Sequence, residues 1–573
     1  MASFWMVRCN AIADTVAATK CRATGIQAHL YVHNSPRLLM VSPTKAKETV
    51  PLRKATPTDL FSTEDVKEIL SGTHTKELVI ALCGPIGSPL HEVGQTLHDM
   101  LLDKFGYDEC KNIRLSKFIE EHAEKSQFEI AKTPVFDRIA GLISFGNKLR
   151  EQHGGSVLAE LAVHEIRLER EDFRLKNDSE RYEPRRICHI IDSIKNQEEL
   201  DLLRTVYREM LYVVGVFAPM SVREQNLKKK GLEPAKIFEL IDRDSGEESK
   251  TGQTVRNTFP QSDFFLRMDS STDSQLTTRV ERFLHLILGT KITTPSAAET
   301  AMYAAASAAG NSACLSRQVG AAITDKDGEV ISTGWNDVPR FGGGLYMTEP
   351  AHDPNGEHDK RCWNKEGGKC FNDEEKGLLT DNLVEVLKSV IPTDKTETAR
   401  ELILTSSKLK GIIEFSRSIH AEMHAILNAG KVAGGKIEEG KIFVTTYPCH
   451  SCARHIVASG ITEVYYIEPY RKSLATKLHD DAITESETET GKLRILPYDG
   501  VAPAKYLSLF RMAPDSRKKD GKMIKILPKN ATPRLEKSLE ALPALEALVV
   551  RSLKSKNLIP TEIQNGNEGP SAA

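Results

Sequence analysis

The chain has 573 residues, of which 40% are apolar and 27% charged, and its formal net charge is −2. Such a length favours roughly two to four domains, and the composition is that of a soluble globular protein. No global excess of positive charge points to nucleic acid, so any basic surface has to be local. Apolar stretches such as 210–220 are far too short to span a bilayer.

The ten cysteines are scattered except for Cys449 and Cys452. That pattern fits a reducing compartment, where close cysteine pairs are more often metal ligands than disulfides. A cytoplasmic location with no membrane partner is expected.

Residues 1–39 are basic, with Asp14 as their one acid. They read as a disordered tail or an upstream extension with translation starting at Met40, although a transit peptide shares this composition. Residues 41–72 read as a Lys-, Thr- and Pro-rich linker ending in a short helix. The run 77–83 is continuously apolar and is followed by the turn residues Gly84, Pro85, Gly87 and Ser88, which predicts a buried strand and a tight turn. A helix is predicted over 90–105, and further buried strands over 187–191, ending at Asp192, and 212–217. Strands alternating with helices predict a parallel sheet covered by helices over 73–290.

A Thr/Ser/Pro patch at 293–296 marks the next boundary. A second α/β unit over 291–512 begins with an Ala-rich helix from Ala297. A hairpin follows, made of strands 320–324 and 329–332 around the turn Asp325 to Gly328. A charged, Gly-rich segment over 340–410 interrupts the unit and is expected to shape the mouth of its pocket. Helix 420–429, strand 441–446, helix 450–459, strand 463–467 and a helix after Ser473 complete it. Residues 513–573 carry a basic stretch, a helix over 534–555 and a disordered end.

The strongest signal is His420 and Glu422 followed by Pro448, Cys449 and Cys452. Zinc favours imidazole and thiolate donors, and a catalytic zinc takes three of them and leaves a fourth position for water. Cys449 and Cys452, three apart at the start of a helix, can face one point, where the helix N-terminus favours thiolates. His420 opens another helix, which puts Glu422 within reach of the metal's water as the proton carrier. His-x-Glu followed by Pro-Cys-x-x-Cys is the established signature of the zinc-dependent base deaminases.

From Ala297 to Met512 the chain resembles the deoxycytidylate deaminases. The resemblance is carried by the segment 316–323, by Gly334, Trp335 and Asn336, by Ser418 to Glu422, and by Thr446 to Cys452. It implies catalysis by Glu422 on a zinc held by His420, Cys449 and Cys452. Asn336 is expected to hold the sugar hydroxyl, and Arg317 to line the substrate. Arg471 and Lys472, with Ser473 opening a helix, are candidates to hold a phosphate; a solvated basic loop is the equal alternative. In the insertion, His352, His358, Cys362 and Cys370 are candidates for a second, structural zinc, although their spacing fits no standard finger.

The turn after the first strand resembles a nucleotide kinase phosphate loop that has eroded. Pro89, Leu90 and His91 stand where Gly, Lys and Ser/Thr belong. Gly84, Gly87 and Ser88 remain as nucleotide-binding candidates, Asp192 resembles a magnesium-holding acid, and Arg243, Asp244 and Arg256 fall where a lid would contribute cations. The expected fold class is therefore α/β, a P-loop kinase-like parallel-sheet domain followed by an α/β/α cytidine-deaminase domain. The pairing resembles the bacterial two-part deaminases that defend against phage. It implies deamination of dCTP and dCMP, a homo-oligomer such as a hexamer, and an inhibitory small RNA. Lys228 to Lys230 and Arg517 to Lys519 are the candidate basic surfaces.

Three alternatives stand beside this reading. A housekeeping dCMP deaminase would share the same site. A base-editing RNA or DNA deaminase needs a charged groove and stacking platforms, which a net charge of −2 and 6% aromatic residues do not supply. A binding module with a purely structural zinc would have no use for Glu422.

Overall fold

The computed structural model describes residues 74–560 except 179–181, 246–253, 270–272, 350, 352, 366, 407, 470–472, 513–515 and 535–541. The expectations for residues 1–72 and for the extreme C-terminus lie outside the described residues. Two six-stranded sheets organise the rest.

The first sheet is built on β1 (Leu78–Cys83), whose six residues are all buried, as a central parallel strand covered on both faces requires. β2 (Glu109–Arg114), β3 (Ile187–Ile194), β4 (Leu211–Phe217) and β5 (Phe264–Arg267) run parallel to it in the order β2–β3–β1–β4–β5. β2 escapes the sequence pattern because it is an edge strand with three exposed residues and no continuous apolar run. Helix Leu90–Asp103 follows β1 as expected.

The second sheet contains β6 (Gly320–Thr324), β7 (Val330–Trp335), β8 (Lys441–Thr446), β9 (Glu463–Glu468), β10 (Ile483–Thr484) and β11 (Leu493–Pro497) in the order β10–β11–β9–β8–β6–β7. The predicted hairpin forms, with β6 and β7 antiparallel. Its turn is fastened by Asp325, whose Oδ1 accepts the backbone N–H groups of Asp327 and Glu329.

The chain then returns to the first sheet. β12 (Gly500–Val501) adds antiparallel to β5. Glu299, 1% exposed, ties this joint: it accepts Val501 N–H at 2.9 Å and both guanidinium nitrogens of Arg282 at 2.8 and 2.7 Å. The C-terminal helix Leu542–Ser555 packs on helix Val157–Lys176 of the first half. There Arg170 joins Glu77 at 2.7 Å and Glu546 at 3.2 Å, all three buried.

The 340–410 segment is not irregular throughout. It contains helices Phe371–Val386 and Thr396–Ser406. Among the described residues no helix is long and apolar enough to cross a membrane.

Candidate active site

Two helices deliver the signature residues. Ala421–Val432 has His420 at its N-cap and Glu422 in its first turn. His450–Ala458 has Cys449 at its N-cap, where the sulfur accepts Cys452 N–H at 3.4 Å. β7 fixes the first of these helices. Gly334 passes so close beneath it that a Cβ there would lie 2.3 Å from Ala425 N and 2.5 Å from Ala421 O, so only glycine fits. Alongside, Ser332 Oγ donates to Ala425 O at 2.8 Å and His424 Nδ1 accepts Trp335 N–H at 3.2 Å. The glycine–tryptophan–asparagine motif therefore works partly as the seat of the helix that carries Glu422.

His420, Cys449 and Cys452 converge. Nδ1 of His420 lies 3.5 Å from Cys449 Sγ and 3.3 Å from Cys452 Sγ, and one donor atom from each residue lies within 4.8 Å of the others. Zinc bonds of typical length at tetrahedral angles separate nitrogen from sulfur by about 3.6 Å, so the set fits a zinc ion. Cys449 is pulled down to about 4, first by hydrogen bonding with Cys452 and then, against burial, by His420. His420 is raised to about 9, chiefly through its contact with Cys449. Cys452 is pushed up, first by its contact with Cys449 and then by burial. A metal would displace the remaining protons, because ligands bind in their deprotonated forms.

Glu422 is 4% exposed. Burial pushes its carboxyl up against the pull of His420, which suits an acid that must hold and release a proton near neutrality.

These groups open onto a cavity of about 500 Å³. Asn336 lines it, but both ends of its amide are engaged: Oδ1 accepts Val319 N–H at 2.7 Å and Nδ2 donates to Arg317 O at 2.8 Å. Each end keeps capacity for one further bond. Arg317 also lines the cavity, paired with Glu468 at 2.7 Å. Ser473 lines instead a neighbouring cavity of about 270 Å³, with its hydroxyl donating to Pro448 O. The same hydroxyl accepts the Ala475 N–H at 3.3 Å, at the start of the short helix Ala475–Leu478, whose N-cap position is Leu474. Arg471 and Lys472 lie outside the described residues.

Sequence reasoning missed several wall residues. Asn372, Asp373 and Lys376 come from helix Phe371–Val386 of the insertion, and Tyr447 lines both cavities. No apolar periodicity announced them, because the cavity-lining residues of that helix are polar and its buried residues are Thr380 and Val384. Of the residues considered for a second metal, His352 lies outside the described residues. His358, Cys362 and Cys370 form no ligand group; among the described residues the single such group is His420, Cys449 and Cys452.

Of the first-half candidates, Arg256 alone lines the cavity of the zinc ligands. Gly84 is packed under β4, with a Cβ position 2.3 Å from Val216 O, and Gly87 abuts Arg223. Ser88 Oγ is buried without a partner. Asp192 sits in β3 beside Leu82 and Arg114, its carboxyl pushed up by burial. The residues considered for a lid disperse. Arg243 bonds Ser144, Asp244 bonds the turn after β1, and Arg256 lines the zinc cavity. Lys228 to Lys230 and Lys518 and Lys519 are exposed.

A family model described as the cytidine and deoxycytidylate deaminase zinc-binding region matches residues 295–468. The chain is 33% identical to the deoxycytidylate deaminase of Enterobacteria phage T4 over 162 residues, which is 28% of this chain and 72% of that protein. It is 30% identical to the phage T2 enzyme of the same name over 171 residues, 28% of this chain and 74% of that one. The structure of a dCMP deaminase from cyanophage S-TIM5 aligns over its full length with 36% of this chain at 17% identity, with a TM-score of 0.20.

Proposed function

This chain belongs to the cytidine and deoxycytidylate deaminase family, and from that footing we propose that it hydrolyses the 4-amino group of a deoxycytidine nucleotide, dCMP in the first place, to give the uracil nucleotide and ammonia. The observation that carries this reading is the buried Glu422 beside the convergent donors of His420, Cys449 and Cys452.

A zinc ion in this ligand set supplies Lewis-acid activation of water at neutral pH. The chain's own groups do the rest. The Glu422 carboxylate receives the proton that water gives up as its oxygen bonds to C4 of the cytosine. It delivers that proton to ring N3, then carries the proton of the new C4 hydroxyl to the 4-amino group; the C4–N bond breaks, C4 becomes a carbonyl and ammonia leaves. Asn336 and the Thr446 end of β8 confine base and sugar.

The same reading takes dCTP as a second substrate, with depletion of the dCTP pool during phage infection as the role. It assigns the N-terminal half a sensing or structural part, and it has the chain act as a homo-oligomer. These finer steps rest on the resemblance of the paired α/β units to two-part phage-defence deaminases.

The test is to incubate zinc-loaded protein separately with dCMP, dCTP, CMP, CTP and deoxycytidine, with Glu422→Ala as control, and to follow the uracil product. Turnover of dCMP and dCTP alone supports the full reading. Turnover of dCMP without dCTP leaves a housekeeping deaminase. No mononucleotide turnover sinks the reading and promotes polymer editing or a structural zinc.

A further inference from the structure

Arg256 belongs to the N-terminal half, yet it stands on the wall of the zinc cavity together with His420 and Glu422. The residue is half-buried, and among the described residues its guanidinium makes no hydrogen bond or ion pair. Other enclosed arginines of this chain do not stand alone: Arg150, Arg170, Arg282 and Arg361 each hold a carboxylate. The other cations on the cavity wall are also engaged, Arg317 with Glu468 at 2.7 Å and Lys376 with Asp373 at 3.9 Å. Arg256 lines the neighbouring cavity as well, and although Glu422 and Asp373 stand on the zinc cavity's wall and Asp244 and Glu485 on the other's, none of them is paired with it. A half-buried guanidinium so placed is matched by a planar or tetrahedral oxyanion, which it can bind through two parallel N–H bonds.

Its position is fixed from behind. Arg256 lies on the short helix Val255–Thr258, whose Val255 and Thr258 are 4% and 0% exposed. Thr254 N–H donates to Lys195 O at 2.7 Å, and Thr258 Oγ1 to Thr254 O at 3.0 Å. The next residue, Phe259, packs against Phe217 and Phe265 with ring centroids 6.0 and 5.4 Å away. The segment also touches β9, the strand that ends at Glu468. The cation is therefore presented on a rigid support, which lowers the ordering cost of binding.

We propose that Arg256 is a phosphate anchor of the zinc cavity: the N-terminal half lends the deaminase site the cation that holds the phosphate of the nucleotide whose base reaches Glu422. This rests on the deaminase reading for the identity of the ligand, and on the unpaired guanidinium for the site itself. It gives the N-terminal half a direct part in substrate binding, one that does not require its own turn after β1 to bind a nucleotide.

Arg256→Ala and Arg256→Lys in the full chain test it, with zinc content and circular dichroism as controls. The alanine variant is expected to raise KM for dCMP roughly 10- to 100-fold, the loss typical of a charge-assisted hydrogen bond, while kcat stays within about threefold and zinc content is unchanged. Lysine, a point charge without the fork, should recover part of the loss. Calorimetric binding of inorganic pyrophosphate gives a second readout that needs no turnover: wild type should bind it and Arg256→Ala should not. An unchanged KM in the alanine variant, zinc loss accompanying the defect, or pyrophosphate binding that is equal in both proteins or absent from wild type would overturn the proposal. If wild type turned over no dCMP, the deaminase reading would fail, and the pyrophosphate arm would still decide for or against the anion subsite.

Discussion

Asp244 Oδ2 accepts the backbone N–H of Ile86 at 2.7 Å, across 158 residues of sequence. Its other oxygen takes the Lys195 ammonium at 2.9 Å, and that ammonium also donates to Gly84 O at 2.7 Å. The turn after β1, which in a nucleotide kinase would offer its N–H groups to phosphate, meets a carboxylate of its own chain here. Asp244→Ala would leave Lys195 and the Ile86 N–H without this partner. The expected cost is about 1–3 kcal/mol, read as a lower urea midpoint at an unchanged slope; an unchanged midpoint would mean that Asp244 does not hold the turn.

Glu422→Ala should lower kcat roughly 10²- to 10⁴-fold, the span of general acid–base catalysis, with zinc retained because Glu422 is not among the convergent donors. Cys449→Ser should lose both zinc and activity. Metal analysis beside the rates separates the two cases, and zinc loss in Glu422→Ala would count against the role given to that carboxylate.

Gly334→Ala tests the seat of the helix that carries Glu422. The added methyl would meet Ala425 N at 2.3 Å and Ala421 O at 2.5 Å, so the helix carrying Glu422 has to shift. A stability loss of about 1–3 kcal/mol is expected, together with weaker zinc binding. A variant with wild-type melting and zinc affinity would show that β7 does not set this helix.

Glu77 makes stability depend on pH. Burial works against its ionisation, but Arg170 and Arg185, at 2.7 and 2.9 Å, more than compensate and hold its carboxyl below the usual range. The folded pKa is thus below the unfolded one. Its contribution is complete above the ordinary carboxylate value and drains away as pH falls through the lower folded value. Glu546, on the far side of Arg170, is shifted the other way by burial, so the wild-type curve mixes both signs and a variant is needed. Glu77→Gln should cost roughly 3–5 kcal/mol at neutral pH and show a shallower loss of melting temperature between neutral and acid pH. Parallel curves for the two proteins would refute the assignment.

The limits of sequence reading fall at particular residues. β1, β3, β4, β8 and β9 are legible as apolar runs, with ends displaced by at most a few positions, because strands buried on both faces need continuous hydrophobicity. The edge strand β2 and the four-residue β5 are not, since neither a polar edge nor so short a run differs from a loop in sequence. The helices within 340–410 were read as an interruption for a related reason: they pack on each other rather than on a sheet, so no strand pattern frames them.

Local chemistry in the sequence determined the reaction centre. His420 with Glu422, and Cys449 with Cys452, are residue types whose spacing at a helix start already places each pair together, because helix geometry over two or three residues is fixed by hydrogen bonding and does not depend on distant packing. That the two helix starts meet at one point is the work of the sheet packing. Only the tertiary structure decided what surrounds that centre. It spent the Asn336 amide on the 317–319 backbone, turned Ser473 into the neighbouring cavity, set Asp244 against the turn after β1, and carried Arg256 from the other half of the chain to the zinc cavity. Each of these depends on contacts between segments tens to hundreds of residues apart, and such contacts are selected by the burial of whole sheets and helices, which no local pattern records.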